Sequence, residues 1–232
     1  MAQKPLSVVS LSGGLDSCVA AASARADGYD LALLHADYGQ LTEARERRAF
    51  EDLARFYGVD RSLVVPFAGL RAIGGSALTD PGIQLPEGDL EREGVPVSYV
   101  PFRNAHLLAT AVSWAEVLGA TAIHVGFVEE DSSGYPDCRE AFLRAFETAA
   151  DLGTKPGTAI RFKAPLIHLR KAEIVRLGLE LRAPLHLTWS CYQGSEVACG
   201  RCDSCLLRLR GFKEAGSADP IPYAHIPDDL RP

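Results

Sequence analysis

Short, nearly continuous apolar runs alternate along this chain with longer stretches whose apolar residues recur at helical spacing. The run through Val8-Val9 enters the turn Ser12-Gly13-Gly14 and leaves it in the small apolar segment Cys18 to Ala24, which predicts a strand, a loop and a helix. Asp30 to Ala36 reads as a second buried strand. Thr42 opens a helix rich in Glu, Arg and Ala that reaches about Tyr57 and closes at Gly58. Ser62 to Pro66 is a third strand. Residues 67 to 97 then break the rhythm with Gly74-Gly75-Ser76, Asp80-Pro81-Gly82 and Pro86-Glu87-Gly88, an excursion or flap over the sheet edge. Beyond it the pattern predicts a helix over Arg103 to Leu118, a strand over Thr121 to Gly126 and a helix from Arg139 to about Leu152. A strand over Ile160 to Ala164 and a helix from about Lys171 to Leu177 follow.

Strands that are apolar on both faces and alternate with helices form a mostly parallel sheet covered on both sides. The expected class is therefore α/β and doubly wound. Ligands of such sheets bind beyond the carboxyl ends of the strands. Three loops fall there: Ser12 to Ser17, Asp37 to Gln40, and Glu129 to Arg139.

The first of these loops carries the clearest chemistry. Adjacent glycines let several backbone N–H groups converge on one anion, and the following helix turns its positive end to the same point. Ser12 and Ser17 add hydroxyl donors, and Asp16 is placed to hold Mg²⁺ beside phosphates. No Gly-Lys-Ser/Thr closes the loop, so it is not a Walker loop, nor is it the dinucleotide G-x-G-x-x-G. Ser12 to Ser17 resembles the PP-loop of the ATP pyrophosphatase superfamily.

At 232 residues the chain suits one large domain, or one with a small appendage: 1–185 as the α/β unit and 186–232 as a cysteine-bearing tail. A net charge of −6 argues against a broad nucleic-acid surface, and no apolar stretch is long enough to span a bilayer. Met1 to Pro5 runs straight into the first strand, so no secretory signal and a cytoplasmic location are expected. There, six cysteines read as metal ligands or catalytic thiols before disulfides.

Four of them, Cys191, Cys199, Cys202 and Cys205, have spacings that suit tetrahedral zinc in a closed, structural site; Cys-x₂-Cys-x₂-Cys also occurs in iron–sulfur proteins. Gly200 suits a metal knuckle, and Arg201, Arg208, Arg210 and Lys213 can offset the thiolate charge. Cys18 reads as a small buried residue. Cys138, between Asp137 and Arg139, reads either as packing or as a reactive thiol.

Taken together, the motifs resemble the 7-cyano-7-deazaguanine synthase family of the queuosine pathway. The matching segments are Ser12 to Ser17, Asp37 to Gln40, Gly74 to Asp80, Val100 to Asn104, Ser133 to Arg139, Thr188 to Tyr192 and Cys199 to Arg208. Gly211-Phe212, Asp219-Pro220 and Tyr223 complete them. Phe102 departs from the pattern by its bulk.

The resemblance implies an adenine nucleotide alpha-hydrolase-like PP-loop fold and an enzyme that turns 7-carboxy-7-deazaguanine, free ammonium and ATP with Mg²⁺ into the 7-cyano compound. It also implies one structural zinc on the four cysteines and a homodimer without nucleic-acid or membrane partners. Ser10, Leu11, Ser12, Gly13, Gly14, Leu15, Asp16, Ser17 and Asp37 are the expected nucleotide-binding residues. Asp16, Arg103 and Lys171 are the expected catalytic set, the latter two on phosphate or carboxylate. Asp131, Tyr135 and Asp137 are expected to read the donor edge of the base. The competing readings are a PP-loop enzyme that thiolates tRNA and a non-catalytic zinc-tailed nucleotide-binding module.

Overall fold

A computed structural model describes residues 4–90, 94–129 and 134–231. Its centre is a sheet of five parallel strands in the order β3-β2-β1-β4-β5, with β1 Leu6–Ser10, β2 Asp30–Asp37, β3 Ser62–Pro66, β4 Ala122–His124 and β5 Arg161–Lys163. The register pairs Val8 with Ala32 on one side and with Ile123 on the other. Because side chains alternate across a strand, these three point to one face, and Val9 and Leu33 point to the opposite one.

Each face has its own core. Helices α1 (Leu15–Ala26), α2 (Glu43–Tyr57), α6 (Lys171–Glu180) and α7 (Asp203–Glu214) bury Val19, Leu53, Ile174 and Phe212 against the Val9–Leu33 face. Helices α4 (Arg103–Leu118) and α5 (Glu140–Gly153) bury Leu108 and Leu143 against the Val8–Ile123 face. Each fully buried leucine of these layers contributes about 1.5–3 kcal/mol. The chain thus winds toward β3 first, then crosses back to β4. The crevice between the carboxyl ends of β1 and β4 is the switch point where a ligand is accommodated.

Several elements differ from their sequence-based limits. The run Thr121 to Gly126 is strand only over Ala122–His124, and Ile160 to Ala164 only over Arg161–Lys163, although Thr121 and Val125 still donate their N–H groups to Leu6 and Lys163 of the neighbouring strands. Helix α6 continues past Leu177 to Glu180. The 67–97 excursion contains a short helix, α3 (Ala68–Ile73). Thr42 does sit at the start of α2, but its hydroxyl donates to Glu46 (2.7 Å) instead of capping a backbone N–H. Gly58 closes α2 in the left-handed region, φ 62°. Helix α7 was not anticipated, since its cysteines and arginines mask the apolar stripe of Leu207, Leu209 and Phe212. No helix is long and apolar enough to cross a membrane among the described residues.

Candidate active site and metal centre

Beyond Ser10 the chain is held off the sheet by Leu11, whose N–H donates to the Leu34 carbonyl (2.8 Å) and whose carbonyl meets His35 Nδ1 (3.0 Å). Gly13 then takes φ 89°, and a Cβ there would lie 2.7 Å from the Glu46 carbonyl of α2, so only glycine fits. Gly14 caps α1 without any side-chain cap, which leaves the first-turn N–H groups of a twelve-residue helix for a ligand. Ser12 and Ser17 frame them: Gly14 N–H donates to Ser12 Oγ (3.2 Å), Ser17 Oγ donates to the Gly14 carbonyl (3.0 Å), and the two hydroxyls are 3.1 Å apart. From the other side the chain leaving β4 passes through Gly126, where a Cβ would come 2.7 Å from Ser17 N.

Lys171, the first residue of α6, reaches this loop from the far side of the crevice. Its Nζ lies 2.8 Å from both carboxylate oxygens of Asp16. The pair sits on the wall of a cavity of about 280 Å³ whose lining also includes Ser10, Leu11, Ser12, Tyr38, Arg103, Tyr135 and Tyr192.

The opposite wall is aromatic and cationic. Arg103 opens α4 behind Phe102, which takes the left-handed φ of 58° and is held there by its N–H on Tyr99 OH (2.9 Å). That turn, costly for a bulky residue, aims Arg103 inward. Its Nη1 donates to Tyr38 OH (2.9 Å), and its guanidinium lies over the rings of Tyr38 (5.1 Å) and Tyr135 (5.9 Å). Burial alone would lower the Arg103 pKa, but Tyr38, Tyr135, Cys138 and Asp137 more than offset it and keep the group cationic. Tyr135 OH donates to Ser98 Oγ (3.0 Å) and stands 3.5 Å from Tyr192 OH. Cys138 is pushed up to about 12 by burial and is a neutral thiol, bonded by Asn104 Nδ2 at 3.2 Å. Burial raises Cys18 to about 12 as well, consistent with a packed residue.

The four tail cysteines converge: their sulfurs all lie within 4.8 Å of one another. A tetrahedral ion with bonds of ~2.3 Å requires sulfurs ~3.8 Å apart, and Cys199 and Cys205 are 3.8 Å apart. Backbone N–H groups of Gly194 (3.1 Å) and Cys199 (3.3 Å) point at Cys191 Sγ, and those of Arg201 and Cys202 (both 3.4 Å) point at Cys199 Sγ. Donors aimed at sulfur stabilise thiolates, so the residues fit a bound metal. All four positions are taken by the chain, so the ion would hold the fold and leave no site for substrate. Gly200, φ 72°, admits no side chain, because a Cβ would meet the His225 carbonyl at 1.7 Å.

The fold therefore brings Ser10 to Ser12, Gly14 to Ser17, Arg103, Lys171 and Tyr135 to one cavity, with Gly13 behind them against α2, and the four cysteines to one point. Other expected residues are placed elsewhere. The Asp37 carboxylate turns from the cavity to Arg47 (2.9 Å) and His35 (3.2 Å). Asp137 Oδ2 accepts the Asn104 N–H (2.9 Å) at the start of α4, while its buried Oδ1 has no partner among the described residues. Asp131 lies outside the described residues. Arg208, read as a counter-charge for the thiolates, is buried in a bidentate pair with Asp219 (2.7 and 2.9 Å). Two residues that shape the site were not singled out: Gly126, signalled by a glycine ending an apolar run, and Trp189, whose N–H donates to the Gly13 carbonyl (2.8 Å).

A parallel sheet of this order, with a glycine-rich anion loop after its central strand and a closed cysteine centre beyond it, defines a PP-loop nucleotide-binding α/β protein. A solved 4-thiouridine synthetase–RNA complex with bound ATP shares the fold, with TM-score 0.51 and 18% identity over 97% of this chain and 49% of its own. The family model "Queuosine biosynthesis protein QueC" matches residues 6–216, and the chain belongs to that family. The 7-cyano-7-deazaguanine synthase of Acidobacterium capsulatum is 58% identical over 222 residues, covering 94% of this chain and 96% of its own. That of Koribacter versatilis is 56% identical over 220 residues, covering 94% and 92%.

Proposed function

We propose that the chain catalyses the ATP-dependent conversion of 7-carboxy-7-deazaguanine and ammonia to 7-cyano-7-deazaguanine. The observation that carries this reading is a single cavity joining the anion loop to a half-buried, permanently charged Arg103 among tyrosines. A flat heterocycle stacks on such rings, and a carboxylate pairs with guanidinium. The name of the relatives, 7-cyano-7-deazaguanine synthase, gives the nitrile product, and the acid proposed here is the carboxylate at the same carbon.

The reaction removes two oxygens from one carboxylate carbon, and ATP makes each a leaving group. In the first round the carboxylate oxygen attacks the α-phosphorus and pyrophosphate departs; ammonia then displaces AMP to leave the amide. In the second, the amide oxygen is adenylated with loss of pyrophosphate, and loss of AMP and protons leaves the C≡N bond. The N–H groups of α1, with Ser12, Ser17 and Lys171, face the phosphates where charge develops. Asp16, on the cavity wall between those serines and Lys171, is the residue to hold a phosphate-bound Mg²⁺. Zinc is the ion proposed for the four cysteines. The only thiol lining the cavity among the described residues, Cys138, is neutral, which counts against sulfur transfer to tRNA. Free ammonium as donor, a homodimer without nucleic-acid partner and a cytoplasmic setting complete the proposal.

Mass spectrometry of a reaction containing the protein, the acid, ATP, Mg²⁺ and ammonium tests it. Nitrile with two AMP per molecule supports both rounds. One AMP per nitrile, or ADP in its place, overturns the two-round scheme, and absence of product with ATP untouched overturns the activity.

A further inference from the structure

Helix α7 starts in the cysteine cluster, with Cys202 at its N-cap and Cys205 in its first turn. Three and six residues on, Arg208 and Gly211 lie on the face turned toward the active site. Both touch what the catalytic groups depend on.

Arg208 is almost fully buried, and every one of its five donors is used. Two hold Asp219; the rest reach the Leu185 carbonyl (3.2 Å), Thr188 Oγ1 (2.7 Å) and Ser190 Oγ (3.4 Å). Thr188 and Ser190 flank Trp189, whose N–H holds the Gly13 carbonyl of the anion loop. Although Arg208 borders the cavity, it has no donor left for a ligand; it fixes the strap that fixes the loop. Gly211 acts on the other group. A Cβ at this position would stand 2.4 Å from Lys171 Cγ and 3.1 Å from its Cβ. The missing side chain is the space through which the Lys171 stem runs to Asp16.

We propose that Arg208 and Gly211 are positioning residues, through which the cysteine-anchored helix sets the geometry of the anion loop and of Lys171. This rests on the reading that loop and lysine serve ATP. The cysteine centre then acts on catalysis at a distance, without touching substrate.

The test is Gly211→Ala, compared with Gly153→Ala at the open end of α5, where a Cβ meets nothing within 4 Å. Ångström-scale misplacement costs on the order of 10²-fold in rate. Gly211→Ala is therefore expected to lower kcat about 10²-fold, with KM for the acid within about twofold and bound metal per chain unchanged. Gly153→Ala is expected to match the parent. A Gly211→Ala enzyme with parental kcat, or one whose activity falls only in proportion to lost metal or folded fraction, overturns the inference.

A thermal-midpoint cycle reads the contact without activity. Removing the Lys171 side chain beyond Cβ removes the clashing atom, so Gly211→Ala should destabilise the parent more than it destabilises Lys171→Ala. Equal shifts in both backgrounds overturn the proposed contact. Lys171→Ala with parental activity defeats the underlying reading instead, whatever Gly211→Ala does.

Discussion

Two loops of this molecule solve related electrostatic problems and differ in one respect. The anion loop and the cysteine knuckle each open a helix, α1 and α7. Each needs a left-handed glycine against which a neighbouring carbonyl is packed: Gly13 under Glu46 and Gly200 under His225. Each aims backbone N–H groups at negative charge. In the knuckle the acceptors belong to the chain, the sulfurs of Cys191 and Cys199. In the anion loop the helix start has no side-chain cap, and on the function proposed above the charge would come from the phosphates of ATP. A closed donor set builds structure, and an open one leaves its free energy for the substrate.

The largest effect should follow from opening the closed set. Structural thiolate sites contribute on the order of 10 kcal/mol to folding, more than most domains have in reserve. Cys202→Ser is expected to lose the metal and to unfold the tail, with ATP binding lost as well because Trp189 no longer braces Gly13. Calorimetry of ATP binding beside metal analysis checks this; a metal-free protein that binds ATP normally would separate the two loops entirely. Exchanging the two glycines sharpens the comparison. Gly200→Ala should cost several kcal/mol of stability and the metal, since the methyl meets backbone. Gly13→Ala should retain the metal and lose ATP affinity. If both variants lose metal equally, the division into open and closed sets fails.

The same contrast explains what was legible in the sequence. The cysteine centre could be read because its ligands are encoded as residues, and the anion loop because Gly13-Gly14 between serines after an apolar run has few other uses. The parallel sheet followed from runs such as Leu31 to Leu34, apolar on both faces. The partners that brace the site could not be read. Nothing local in Trp189 says that its N–H will meet Gly13, or in Gly211 that Lys171 will pass beside it, because both contacts form between segments far apart in the chain. Asp37 and Asp137 show the converse. Both lie at carboxyl-end loops, where Arg47 engages the Asp37 carboxylate and the Asn104 N–H takes one oxygen of Asp137, leaving its Oδ1 without a partner among the described residues.

A smaller effect, confined to the open set, should come from Lys171. Its ammonium pairs with Asp16 beside the anion loop; on the function proposed above, it would act on charge developing on the departing pyrophosphate. Lys171→Ala is expected to lower kcat by about 10²–10³-fold, with metal content unchanged. Lys171→Arg should recover little, because the planar fork does not fit the channel beside Gly211. Steady-state rates with ATP varied, beside metal analysis, check both. A change confined to the KM of ATP would mean that Lys171 binds the ground state and the transition state alike.

Ser12 should give the smallest effect and the cleanest one. Its Oγ accepts the Gly14 N–H and meets Ser17 Oγ, two contacts at 3.2 and 3.1 Å at the rim of the cradle. Water replaces a partly exposed hydroxyl easily, so Ser12→Ala removes about one net hydrogen bond, roughly 1 kcal/mol. That corresponds to about a fivefold rise in the KM of ATP, with no change in thermal midpoint or metal content. A loop whose donors are preorganised by Gly13 and Trp189 tolerates the loss of one rim contact. A fall of the midpoint by several degrees would instead show that the hydroxyl holds the loop itself, and that the open set owes its shape to side chains as the closed set does.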